Sequence, residues 1–405
     1  MIITKPNVIE RALTQKSQHS LSTVISFFCL GLCTAAWAPL IPYAQQRLSL
    51  NHADFGGLLL CGGLGSMIAM PATGYLIQKL GCRSMIAAFL LVLMFTLPLM
   101  TLAPSAAMLA ILLFIFGSAA GGLGVVINYQ AVVVEKKLTQ NLMSSFHGMC
   151  SLGGLGGVMA VTLLLSVGVP PFLSAVLMGF ILLILVCVAV PHSLKKTEIL
   201  DLNTQNTDES SHSVNMANKW MMPPPLILVF GLMCFIAFLT EGSAMEWSGI
   251  YLVDQFKIDA AYSGLAYTFF AIAMTMGRFS GHWVLTFLGE KKTIIYGSIL
   301  AAIGLSIVIA APIWTVALLG YFLMGLGCAN IVPTIFSQVG RQNVMPKAVA
   351  LSYVSTMAYS GVLIGPAFIG LGSEILSLTA VFTVLAVAVI LIPLLNMFTR
   401  SKRLA

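Results

Sequence analysis

Charge is what this sequence has least of. Of 405 residues only 8% are Asp, Glu, Lys or Arg, and just 13 are acidic, against about 25% charged in an ordinary soluble domain. That deficit excludes a soluble enzyme, a disordered chain and a nucleic-acid binder together, because each needs a charged, water-facing surface. Patterns that ligate or catalyse are missing too. The six histidines, at positions 19, 52, 147, 192, 212 and 282, make no metal-ligand spacing, and there is no serine elbow or phosphate-cradling glycine loop. Of the eight cysteines only Cys82 lies outside an apolar run. Thiols in such runs behave as small hydrophobes, so neither a disulfide framework nor a metal or other cofactor is implied.

What fills the chain instead is apolar sequence, with 59% hydrophobic residues and a mean hydropathy of +0.98. A membrane helix needs about 20 apolar residues. Such runs occur at 21–43, 55–76, 84–102, 107–132, 145–167 and 172–190, then at 226–252, 263–286, 292–311, 315–336, 348–372 and 376–397. A membrane β-barrel would show alternating stretches of about 10 residues, and these runs are unbroken. The expected fold is therefore an all-α membrane protein of twelve spans.

Between the sixth and seventh runs, residues 191–225 are rich in Asn, Ser, Thr and charge, the composition of a solvated linker. It separates an N-terminal six-helix bundle, 21–190, from a C-terminal one, 226–397. Gly122-Leu123-Gly124 recurs as Gly325-Leu326-Gly327, each followed by an asparagine, Asn128 or Asn330. Two repeats of six helices are a transporter architecture.

The net charge of +7 resolves into orientation. With the N-terminus (1–20) and C-terminus (398–405) cytoplasmic, eighteen of the twenty Lys and Arg residues fall at the inner face, and only Arg47 and Lys257 fall outside. Positive residues gather on cytoplasmic loops, so this distribution supports both the count and the direction of the spans.

Ionisable groups within spans cost several kcal/mol, about 2.5 to 3.5 on the insertion scale, and are functional candidates for that reason. They are Glu241, Glu246 and Arg278. Glu241 lies 16 residues after Pro225, about 24 Å from the inner face, and suits a group that takes a proton from outside and releases it inside. Glu246, five residues on, is rotated by about 140° and shares that face only if Gly242 or Gly249 breaks the helix. Arg278, near the inner end of its span, reads as too far from Glu241 to pair with it, and as a cation that snorkels to the interface. Uncharged polar groups suited to solute recognition are Asn128, Gln130, Tyr267, Asn330 and Tyr359, with Trp37 in the first span.

The loop after the second span reads Gly74-Tyr75-Leu76-Ile77-Gln78-Lys79-Leu80-Gly81-Cys82-Arg83. With the twelve spans and central linker it resembles the major facilitator superfamily. Gln78 stands where that signature usually has an aspartate. A closer resemblance, to the YbjJ-like inner-membrane proteins distantly similar to fucose permease, rests on residues in both halves. They include Trp37-Ala38, Ile127-Asn128, His147-Gly148, Ser151-Leu152-Gly153, Glu241-Gly242-Ser243-Ala244 with Trp247, Gly277-Arg278-Phe279 and Gly365-Pro366.

The resemblance implies a monomeric secondary transporter in a bacterial inner membrane, moving a small polar, sugar-like solute with protons by alternating access. Gly74, Lys79, Gly81, Arg83 and Arg278 would serve its gates, Glu241 and Glu246 its proton. Proton-driven drug or metabolite export is the alternative of the same class, and a non-transporting sensor or membrane-embedded enzyme that of another.

Overall fold

The computed structural model describes residues 8–138, 142–197, 223–345 and 347–399. The outermost termini and residues 198–222 of the linker, with Lys5, Lys219, Arg400, Lys402 and Arg403, lie outside them, as do the side chains of Arg11, Lys16, Gln78, Lys136 and Lys347. Among the described residues all regular structure is helical.

The first half comprises α1 (Val8–Ala36), α2 (Ile41–Leu48), α3 (His52–Leu102), α4 (Ala106–Leu138), α5 (Met143–Ser166) and α6 (Pro171–Ala189). The second comprises α7 (Pro225–Phe256), α8 (Gly264–Phe279), α9 (Gly281–Ala310), α10 (Trp314–Cys328), α11 (Ile331–Arg341), α12 (Lys347–Ile375) and α13 (Leu378–Phe398). Eleven helical segments among the described residues are long and apolar enough to cross a membrane.

Local chemistry sets the boundaries. Pro39 and Pro42 lack N–H donors, so the first span passes through a 3₁₀ turn, Ala38–Leu40, before α2. The Asn51 side chain accepts from the Asp54 N–H at 2.7 Å and starts α3. Pro225 at the first position starts α7, and Lys257 in the left-handed region ends it.

One span bends within its predicted run. The apolar run predicts a single helix over 263–286, and α8 passes into α9 there through Ser280, whose backbone stays in the helical region (φ −81°, ψ −2°). Asn330 braces the bend by donating to the Gly277 carbonyl at 2.8 Å, and a β-carbon at Gly281 would lie 2.5 Å from Asn330 Oδ1.

Each half also turns on a glycine inside a continuous helical run. Gly81 in α3 (φ 78°, ψ 160°) and Gly289 in α9 (φ 73°, ψ 159°) adopt nearly the same backbone conformation, one reserved essentially for glycine. The halves share a packing rule as well. A β-carbon at Gly153 or Gly157 would lie 2.1 or 2.2 Å from a carbonyl oxygen of α1, and one at Gly361 would lie 2.5 Å from the Phe235 carbonyl of α7. Small residues thus seat α5 on α1 and α12 on α7, as they do between membrane helices generally.

Candidate functional site

Lys79, Arg83, Lys195, Lys196, Lys291 and Arg341 mark one end of the bundle, called here the basic end. The halves press together at the opposite end. A β-carbon at Gly56 of α3 would lie 2.5 Å from the Pro366 carbonyl of α12, and one at Gly370 would lie 2.3 Å from the His52 carbonyl. Gly264 at the start of α8 is equally tight against Thr162 and Pro39. His52 Nε2 and Asp254 Oδ2, 2.9 Å apart, tie α3 to α7 across this seam.

On the basic side of the seal is a cavity of about 260 Å³, framed by α1, α5, α7 and α8 with Val362 of α12. It reaches from Tyr267 to His147, which lies one turn into α5 from the basic end. Its charged groups are Glu241 and Arg278. Arg278 Nη2 approaches Glu241 Oε2 at 3.4 Å, and Nη1 donates to Ser151 Oγ at 3.1 Å. The Arg278 side chain is 39% exposed and that of Glu241 16%, so both reach the cavity while held on α8 and α7. Because Ser151 belongs to α5, Arg278 also links the two halves.

The pairing corrects the expectation that Arg278 lies too far from Glu241. Depth is better counted from the hairpin that joins the two helices. Glu241 lies 15 residues before Phe256, the end of α7, and Arg278 lies 14 residues after Gly264, the start of α8. At 1.5 Å per residue both are about 21 to 23 Å from the hairpin. The apolar run misleads here because it ends the seventh span at 252, whereas α7 continues to Phe256.

Behind the charge pair, His147 Nε2 lies 3.2 Å from Asn128 Oδ1, and Asn128 Nδ2 donates to the Gly124 carbonyl at 2.8 Å. Asn128 thus sits one hydrogen bond behind the cavity wall. Tyr267 lines the cavity and stacks on Phe270, centroids 5.9 Å apart. Tyr359 stacks at 5.6 Å on Phe238, which lines it.

Other residues singled out from sequence lie elsewhere. Gln130 is fully buried, accepting from the Leu194 N–H and donating toward Ser22 and Thr23. Asn330 braces the α8–α9 bend, and Trp37 is packed in the core with its Nε1 unpartnered. Glu246 does not line the cavity, since α7 is unbroken, and its Oε2 is buried without a partner. Gly249 packs against Pro42 and Ser263 rather than kinking the helix.

The loop residues meet their own half. Arg83 donates to the Pro191 carbonyl at 2.8 Å, Gly81 abuts Lys196, and Lys79 Nζ sits 4.5 Å from the Tyr75 ring centre. Nothing lies within 4 Å of where a β-carbon on Gly74 would be.

Sequence reasoning passes over Ser151 and Thr34 as contacts. Ser151 follows His147 by four residues on α5, the spacing that puts two polar groups on one helix face, and that signal is there to find.

Comparison with known proteins agrees with this architecture. The family model described as Major Facilitator Superfamily matches residues 23–284 and 230–404. An uncharacterized MFS-type transporter of Yersinia pestis is 38% identical over 373 residues, covering 92% of this chain and 94% of the relative. Membrane protein MosC of Rhizobium meliloti is 31% identical over 370 residues, covering 91% and 87% respectively. In fold, the chain is similar to the crystal structure of the nucleoside transporter NupG, with a TM-score of 0.72 and 14% identity over 95% of this chain and 99% of that one. At that identity the likeness concerns the fold alone.

Proposed function

The chain belongs to the major facilitator superfamily of membrane transporters, and on that premise we propose that it carries a small polar, sugar-like solute together with protons by alternating access. The observation that carries this reading is the Glu241–Arg278–Ser151 contact, a charge pair in a cavity between the two halves. Ionisable groups within spans are costly and mark ion or solute pathways. Glu241 is the proton-linked group, released from Arg278 when it is protonated.

Solute contacts come from Arg278, Ser151, Thr34 and Tyr267, with Asn128 and Tyr359 supporting the wall from behind. The halves are sealed at the end away from the basic loops, and positive loops face the cytoplasm. The conformation is then closed to the outside, in a bacterial inner membrane with both termini inside and the protein acting as a monomer.

A cavity of about 260 Å³ is below the 300–1,000 Å³ usual for drug-sized ligands. That favours a small solute over export of large hydrophobic drugs. Proteoliposomes given a panel of radiolabelled sugars and sugar acids test the coupling. Glu241→Gln should lose accumulation driven by an alkaline interior yet keep exchange of solute against solute. Gradient-driven accumulation equal to wild type in Glu241→Gln would remove Glu241 from the coupling role.

A further inference from the structure

The solute's own charge follows from a count of the charges that surround it. The cavity holds one carboxylate, Glu241 from α7, and one guanidinium, Arg278 from α8. The other titratable groups facing them are His147 and Cys150 from α5, Cys234 from α7, Tyr267 from α8 and Cys328 from α10, while α1 and α12 contribute no charge to the cavity. With Glu241 ionised the pair sums to zero, and each charge offsets the other's loss of hydration. Adding a proton to Glu241 cancels the negative charge and leaves the Arg278 cation alone between two membrane bundles, where an uncompensated charge is expensive.

A neutral solute cannot relieve that cost. A cationic solute would bind Glu241 in competition with the proton and worsen it. A solute with one negative charge restores neutrality, because its anionic group takes the place that Glu241 held on the guanidinium.

Arg278 is built for that exchange. Its hold on Glu241 is a single contact of 3.4 Å, longer than the 2.7–2.9 Å of a strong charge-assisted bond. One other donor is engaged by Ser151, and a guanidinium has five N–H donors arranged to bind a carboxylate through two parallel bonds. Ser151, Thr34 and Tyr267, each bearing a hydroxyl, line the same cavity with Phe238 and Phe270.

We infer that the solute is a small hydroxylated monoanion of the sugar-acid class, its carboxylate on Arg278, carried with one proton on Glu241. This rests on the proton-coupled reading above. The proton comes from the water outside and is released to the water inside. No covalent bond of the solute changes, and the cycle moves no net charge.

Thermal unfolding of the purified protein in detergent, at pH 5.5 and 7.5, tests this with D-gluconate and D-galacturonate against neutral D-glucitol and D-galactose and cationic D-glucosamine. The acids should raise Tm by several degrees, and their affinity should be higher at pH 5.5, falling by up to about tenfold per pH unit as one linked proton is lost. Arg278→Gln should abolish the shift. Arg278→Lys, which keeps the charge and the fold but not the two-pronged geometry, should weaken binding about tenfold. Glu241→Gln should bind the acids equally at both pH values.

Stabilisation by neutral or amino sugars in preference to acids overturns the inference, as does the absence of any shift with acids or acid binding by Arg278→Gln equal to wild type. The two readings fail differently. A neutral sugar that binds with proton uptake leaves proton coupling standing and removes the anion. Acid binding that is independent of pH in wild type keeps the anion site and removes Glu241 as the proton's carrier.

Discussion

Gln130 illustrates how a polar side chain inside a span is committed by its neighbours. Its amide oxygen accepts from the buried Leu194 N–H at 3.0 Å, and its nitrogen donates to Thr23 Oγ1 at 3.1 Å and toward Ser22 Oγ at 3.3 Å. Gln130→Leu strands that N–H, at a cost of about 1–3 kcal/mol for a buried unmade bond. The melting temperature in detergent should therefore fall while the KM for transported solute stays at the wild-type value. A raised KM with unchanged stability would instead place Gln130 in solute binding. Nothing in the sequence separates Gln130 from Tyr267, because both are polar residues in apolar runs. Their roles are decided by which neighbours long-range packing supplies, a loop N–H in one case and a cavity in the other. Glu241 was legible because carboxylates within the apolar runs are few and costly. Its partner was not, because pairing depended on where two helices end.

At the scale of elements, the two glycine turns make a comparison the fold itself controls. Gly81 and Gly289 share one backbone conformation that side-chain-bearing residues avoid, worth about 1–3 kcal/mol of strain on substitution. Their surroundings differ. A β-carbon on Gly81 would lie 2.8 Å from the Lys196 backbone nitrogen, whereas one on Gly289 would meet nothing within 4 Å. Both alanine variants should lower the melting temperature, and Gly81→Ala should lower it more. Equal losses would show that the contact with the segment after α6 adds nothing. Hydropathy located most of these helices well, since apolar runs bounded by Pro, Asn or charge leave little choice. It gave no sign of the bend at Ser280, which involves no polar run and is braced by Asn330 from the distant junction of α10 and α11. A contact 53 residues away leaves no local mark.

The whole molecule is two similar bundles that seal at one end and hold a charge pair beneath the seal. Its basic residues give an expected direction for the chain and its central linker an expected division, most of that linker lying outside the described residues. The conformation was not legible, because sealing depends on how glycines of α3, α8 and α12 meet the facing half. This seal must open for solute to reach Glu241 and Arg278 from the end away from the basic loops. The direct measurement replaces His52 and Asp254, which meet at 2.9 Å, by cysteines and bridges them with a short bis-methanethiosulfonate in proteoliposomes, with treated wild type as the control. Transport should fall to background on bridging and return when reductant removes the bridge. Full transport by the bridged protein would contradict the account, since a carrier locked at that end could not alternate.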